Sequence, residues 1–230
     1  MKIRFKGGFL LFALSFLELV FLTCCADKNN HAKITQADLE LYSLAIDSLI
    51  EMQYAPFSEF DLTDTVGFRD LVVFTDSTYM NENLLKEKRP IYPDQFFTVE
   101  DQFKTIKRSF PNFEKGALLD YYEKNFKNLP LVTDCFDFSF PYVTIELDTL
   151  DAMRKRDRTS NEFWSELREK YPNFLFLVQF SKPGFNQDST QSVLYIHYMR
   201  HRLNGAGFIF LFKKNENHWQ IKYAYQKWIS

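Results

Sequence analysis

Few side chains in this 230-residue sequence have the types and spacing that chemistry requires. His197-Tyr198-Met199-Arg200-His201 holds two histidines at i and i+4, which on a helix would face one metal ion. The run instead continues the strand pattern of Ser192 to Met199, where four residues span about 13 Å, too far for one ion without a bend. No metal site and no cofactor are expected. Ser181, His197 and a carboxylate form a hydrolytic triad on paper, and with His201 they define one reading, a small exported hydrolase with a nonstandard site. The turn residues after Ser181 favour a plainer role, a hydrogen bond within its own loop. The sequence has no G-x-S-x-G elbow, no H-E-x-x-H and no C-x-x-C, so no catalytic residue is assigned. Arg200, His201 and Arg202 make a compact positive loop tip, and loops held by rigid sheets often carry recognition. His197, Arg200, His201 and Arg202 are therefore the candidate ligand- or partner-contacting residues. Arg154 to Arg158 reads as a solvated face.

The three cysteines raise a different chemistry. Lys2, Arg4 and Lys6 precede an apolar run from Gly7 to Thr23 that ends at Cys24-Cys25, the layout of an export signal. Seventeen residues are short for a bilayer span, and Glu18 is expensive at its centre. The end of the run resembles the lipobox of bacterial lipoproteins. That resemblance implies cleavage before a lipid-bearing cysteine, either Cys24 (after Phe21-Leu22-Thr23) or Cys25 (after Leu22-Thr23-Cys24). An ordinary cleaved signal peptide is the alternative. Residues 1–24 are then the leader, 25–33 a polar tether and 34–230 one domain. Cys135, between Asp134 and Asp137, reads as an inert thiol because neighbouring carboxylates disfavour a thiolate. The chain beyond residue 24 has a net charge of −4 with no polybasic patch, so membrane attachment would rest on the lipid.

Composition sets the limits on the domain. The whole chain's 26 Phe, 12 Tyr and 3 Trp exclude a disordered chain, and its 28 Lys+Arg against 30 Asp+Glu argue against a nucleic-acid binder. Seven glycines leave little room for phosphate-cradling loops. Leu39, Tyr42, Ile46, Leu49 and Ile50 recur at helical spacing after Thr35 and Asp38, an imitation of a capping box. Further helices are expected over Val99 to Arg108, from Asn112 to about Asn125, from Asp148 to Arg158, and from Thr159, with Glu162 completing a box, to Tyr171. Leu71 to Phe74 and Val143 to Leu147 read as strands. The last third has four, Phe174–Phe180, Ser192–Met199, Gly207–Lys213 and His218–Tyr225, joined by short turns. The fold class is α+β: helices mainly in the first two-thirds, then a four-stranded antiparallel meander open to extension by the two earlier strands.

The meander strands are apolar on both faces. Phe208, Phe210 and Phe212 alternate with Ile209 and Leu211, and Phe174, Phe176, Val178 and Phe180 with Leu175 and Leu177. A strand with one wet face would alternate with polar residues, so both faces need cover. In contrast, His218 to Tyr223 alternates cleanly and reads as half exposed. Phe180-Ser181-Lys182-Pro183-Gly184-Phe185-Asn186, Ser192 to Ile196, Leu203 to Phe208, His218 to Ile221 and Trp228-Ile229-Ser230 resemble blocks of a group of uncharacterised exported bacterial proteins. The sequence departs from them at Pro183 and at the basic, aromatic Tyr198 to Arg202. That resemblance implies an exported domain and carries no activity. The expected protein is a lipid-anchored domain of the bacterial cell envelope, facing the periplasm or exterior, that binds an envelope protein or a small apolar ligand such as a lipid.

Overall fold

The computed structural model describes residues 34–54, 71–75, 99–125, 131, 136, 138, 140–156, 161–172 and 174–230. Cys24, Cys25 and Cys135, the tether and the box residue Thr159 lie outside them. The elements are α1 (Gln36–Tyr54), β1 (Leu71–Thr75), α2 (Val99–Ser109), α3 (Lys115–Lys124), β2 (Tyr142–Ile145), α4 (Leu147–Arg156), α5 (Glu162–Lys170), β3 (Phe174–Phe180), β4 (Gly184–Phe185), β5 (Gln191–His201), β6 (Asn204–Asn215) and β7 (His218–Ile229). The architecture is α+β, and the two early strands do join the meander.

They join it in parallel. The sheet order is β2-β1-β3-β5-β6-β7, with β4 also pairing β5. β1 lies parallel to both β2 and β3, while β3, β5, β6 and β7 form the antiparallel meander. Two-residue β4 has too little patterning to announce itself; it exists because Gly184 and Phe185 resume the pairing that β3 leaves off. Helix α3 starts at Lys115, three residues later than Asn112, because the Asn112 carbonyl instead accepts the Gln191 side-chain amide at 2.9 Å.

At α1 the reciprocal box forms with Asp in place of Glu. The Thr35 amide donates to Asp38 Oδ2 at 2.9 Å, and the Asp38 amide donates to Thr35 Oγ1 at 3.1 Å. Leu41, Tyr42, Ala45, Ile46 and Leu49 form the buried stripe, with Leu39 and Ile50 at its margin. They cover the sheet face made by Phe176, Val178, Phe180, Leu194, Ile196, Phe208, Phe210 and Phe212. On the opposite face α2 and α3 pack on Val193, Tyr195, Ile209 and Leu211. Beside them α4 and α5 pack on Val73, Ile145 and Leu177. The doubly apolar strands thus have helices on both sides, and the aromatic face that suggested an apolar ligand is occupied by α1.

The alternation of β7 does not survive folding. Leu211 pairs Tyr223 and Phe212 pairs Ile221, which leaves Lys222 as an extra residue; Gly207 pairs Trp228 and Phe208 pairs Gln226, which leaves Lys227 extra. Each bulge reverses the parity of the strand. Trp219 and Ile221 pack with α1, whereas Tyr225 joins the α2–α3 side, where Tyr223 lies 5.9 Å from Phe110. The strand is half exposed as expected, but the bulge at Lys222 breaks its clean alternation. β7 is also an edge strand, and a lysine at each bulge guards it against pairing with another edge.

Candidate functional site

The β5–β6 hairpin presents the candidate residues. Met199 pairs Gly205 and His201 pairs Asn204, so Arg200 is itself a bulged residue. Its guanidinium lies 4.5 Å from the Phe176 ring centroid, and its carbonyl accepts Arg168 Nη2 at 3.0 Å. A guanidinium over an aromatic face is held by the ring quadrupole as well as by packing. The exposed His201 ring stacks on Trp164 of α5, with centroids 6.4 Å apart. Arg202 and Leu203 form the turn, and Leu203 is 69% exposed. β7 ends against this turn, where Gly205 and Ser230 exchange backbone hydrogen bonds at 3.4 and 2.9 Å. Ile229, opposite Ala206, is 75% exposed. Leu203 in the turn and Ile229 near the end of β7 are thus two exposed aliphatic side chains at this end of the sheet.

His197 is not part of this tip. It is buried on β5, paired with Gln179 and Gly207, with its ring 5.9 Å from Tyr195 and 6.1 Å from Trp228. Burial, and secondly the charge of Arg154, push its pKa down to about 4, so the imidazole is neutral at pH 7. Trp228 Nε1 donates to the Tyr195 hydroxyl at 2.8 Å. A Cβ on Gly207 would come within 2.4 Å of both groups, so only glycine leaves room for this bond. The structure therefore keeps Arg200, His201 and Arg202 at the hairpin end, with the Arg200 guanidinium on Phe176 and the His201 ring on Trp164, and leaves His197 buried in the sheet.

Ser181 is likewise structural. It is fully buried, its amide donates to the Tyr195 carbonyl at 2.8 Å, and its Oγ accepts the Tyr195 amide at 2.8 Å. The hydroxyl thus replaces a ladder carbonyl where the chain leaves β3; its partner is Tyr195 on β5 and not its own loop, which corrects the expectation from turn chemistry. Since Ser181 stands opposite Tyr195, His201 lies six residues further along β5, about 20 Å away by strand rise. Next to it, Lys182 is buried and paired with Asp38 at 2.9 Å. Asn125 brackets the Lys182 backbone, accepting its amide at 2.7 Å and donating to its carbonyl at 2.7 Å. Tyr42 donates to the Ser181 carbonyl at 3.2 Å. This network ties α1, α3 and the sheet together.

Among the described residues no three of His, Cys, Asp and Glu gather to hold a metal, and no helix is long and apolar enough to cross a membrane. Sequence reasoning missed Arg168, Leu203 and Ile229. Arg168 and Ile229 lie some thirty residues on either side of the hairpin and reach it only through tertiary packing. Leu203 carried a readable signal, an aliphatic residue inside a polar turn. Compared with known proteins, the chain matches no family model, no curated protein and no solved structure.

Proposed function

We propose that this is an exported, lipid-anchored envelope protein whose domain binds a partner through the β5–β6 tip. The carrying observation is that tip: Leu203 exposed in the turn next to Arg202, with Ile229 exposed on the strand end that hydrogen-bonds to it. Interfaces are enriched in arginine and have an apolar core, and a hairpin already ordered limits the ordering cost of binding. The leader ending in Cys24-Cys25, and the likeness of the C-terminal blocks to exported bacterial proteins, support export and anchoring. Catalysis around Ser181 has less support, because that hydroxyl is committed to a backbone amide and lies far from His201. The apolar-ligand reading loses the surplus face on which it rested, since α1 packs there.

Two experiments test the proposal. Replacing Cys24 and Cys25 by serine should move the protein from the membrane to the soluble envelope fraction; retention in the membrane refutes the anchor. A photo-cross-linking residue at Arg202 should yield a discrete adduct in intact cells, and the same residue at exposed Glu146 should not. No adduct at Arg202, or equal labelling at both positions, refutes the tip as a contact surface.

A further inference from the structure

A second surface complements the tip and lies at the other end of the molecule. An open groove runs between α3 and the β4–β5 turn, lined by Gly116, Leu119, Asp120, Glu123, Phe185 and Asn186. Leu119 is 50% exposed, and Phe185 is half-buried. Asp120 Oδ2 accepts the Phe185 amide at 2.7 Å and the Lys124 ammonium at 2.6 Å, so the one lysine in the groove is already neutralised by its own helix. Glu123 is exposed on the rim, and Asp188 stands in the adjoining turn. The groove thus offers an aliphatic side chain and an aromatic edge with carboxylates at its border. The tip offers aliphatic side chains with guanidinium groups at its border.

These two surfaces cannot meet within one chain. The Asn186 amide donates to the Gln191 carbonyl, which places the start of β5 beside the groove, and β5 ends at the tip. Its eleven residues span about 35 Å. Resting on the reading of the tip as a contact surface, we infer that the partner is a second copy of this chain, whose α3 groove receives Leu203 while Arg202 faces Glu123. The contact is heterologous, because the two surfaces differ. Since they lie at opposite ends of the domain, successive copies add head to tail into an open row and do not close as a pair. Edge-to-edge growth through β7 is the competing geometry, and the bulged Lys222 and Lys227 oppose it.

Cysteine cross-linking of the full chain in the membranes of producing cells tests this. Leu119→Cys with Leu203→Cys in one chain should give a ladder of dimers, trimers and higher rungs under mild oxidation, absent from the parent protein. Co-produced single variants, one carrying each cysteine, should stop at a dimer. A dimer from either single variant alone indicates a symmetric contact and overturns the head-to-tail arrangement; no rung above the parent background overturns self-association. Analytical ultracentrifugation in detergent gives an independent reading. Arg202→Glu and Glu123→Arg should each weaken association at least tenfold, and their equimolar mixture should recover the association of the parent, because every contact between unlike copies again joins opposite charges. Equal association by all four samples overturns the charge pairing. Because the Arg202 photo-adduct is scored separately, a monomeric chain with a discrete adduct of different mass would defeat this inference and leave the tip as a contact surface for another protein.

Discussion

Two glycines at the junction of α3 and β4 should respond to alanine with opposite signs. Gly184 lies directly under the helix: a Cβ there would sit 2.2 Å from the Tyr121 amide nitrogen, 2.4 Å from its Cα and 2.5 Å from the Ala117 carbonyl oxygen. All three are backbone atoms, so no rotamer change relieves the clash. Restoring ordinary contact near 3.4 Å requires α3 and β4 to separate by about 1 Å, an overpacking that typically costs 1–3 kcal/mol. The separation also strains hydrogen bonds that cross the junction, Phe185 to Asp120 and Lys182 to Asn125. We therefore expect Gly184→Ala to cost about 3 kcal/mol, a Tm decrease of roughly 6–12 °C for a domain of this size. Gly116 lies in the first turn of α3, and its Cβ would meet nothing closer than 3.8 Å, the Asn186 Cα. Gly116→Ala should stabilise by roughly 0.5–1 kcal/mol, because alanine has fewer unfolded conformations to lose. Urea unfolding followed by tryptophan fluorescence and far-UV circular dichroism reads both. A loss below about 1 kcal/mol at Gly184, or a loss of similar size at both positions, would refute the close approach of α3 to β4.

Three more predictions concern the buried polar groups. With the pKa of His197 lowered from 6.5 to about 4, the unfolded chain binds a proton that the folded chain refuses. Its contribution is fully present above pH 6.5 and is lost as pH falls to 4, up to about 3 kcal/mol; His197→Gln should flatten this part of the stability–pH curve, and an unchanged slope counts against burial of a neutral imidazole. Lys182→Met leaves the Asp38 carboxylate buried without its cation and should cost about 3–5 kcal/mol in denaturant titrations, whereas Lys182→Met with Asp38→Asn should cost less; an equal or greater loss in the double variant would contradict the pairing. Ser181→Ala strands the Tyr195 amide and should cost about 1–3 kcal/mol by thermal unfolding, and a neutral outcome would free the serine for another role.

Much of the fold was legible because its signals are local. The Thr35–Asp38 box, the helical spacing of Tyr42, Ile46 and Leu49, and the turn residues between the last four strands each act within a few residues of themselves. The requirement for cover on both faces of the meander was equally legible, since Phe and Leu alternate with each other and not with polar residues. Less of the candidate site could be read. Arg200, His201 and Arg202 announce themselves as a run, but their neighbours Arg168, Trp164 and Ile229 come from α5 and β7. Strand patterning alone could not separate His197 from them, because burial depends on which helices arrive above the strand.

By itself, then, the sequence determined the fold class, the order of elements and the need for helices on both sides of an aromatic sheet, all consequences of periodicity and of the cost of exposing apolar surface. The tertiary structure decided three further matters. It added β1 and β2 in parallel, because backbone pairing across long chain separations leaves no mark on local pattern. It turned Tyr223 and Tyr225 to the α2–α3 side, because one unpaired residue, Lys222, shifts the parity of everything after it. And it left Leu203 and Ile229 exposed at one end of the sheet, with a carboxylate-rimmed groove at the other, because strand length fixes how far apart two surfaces must stand.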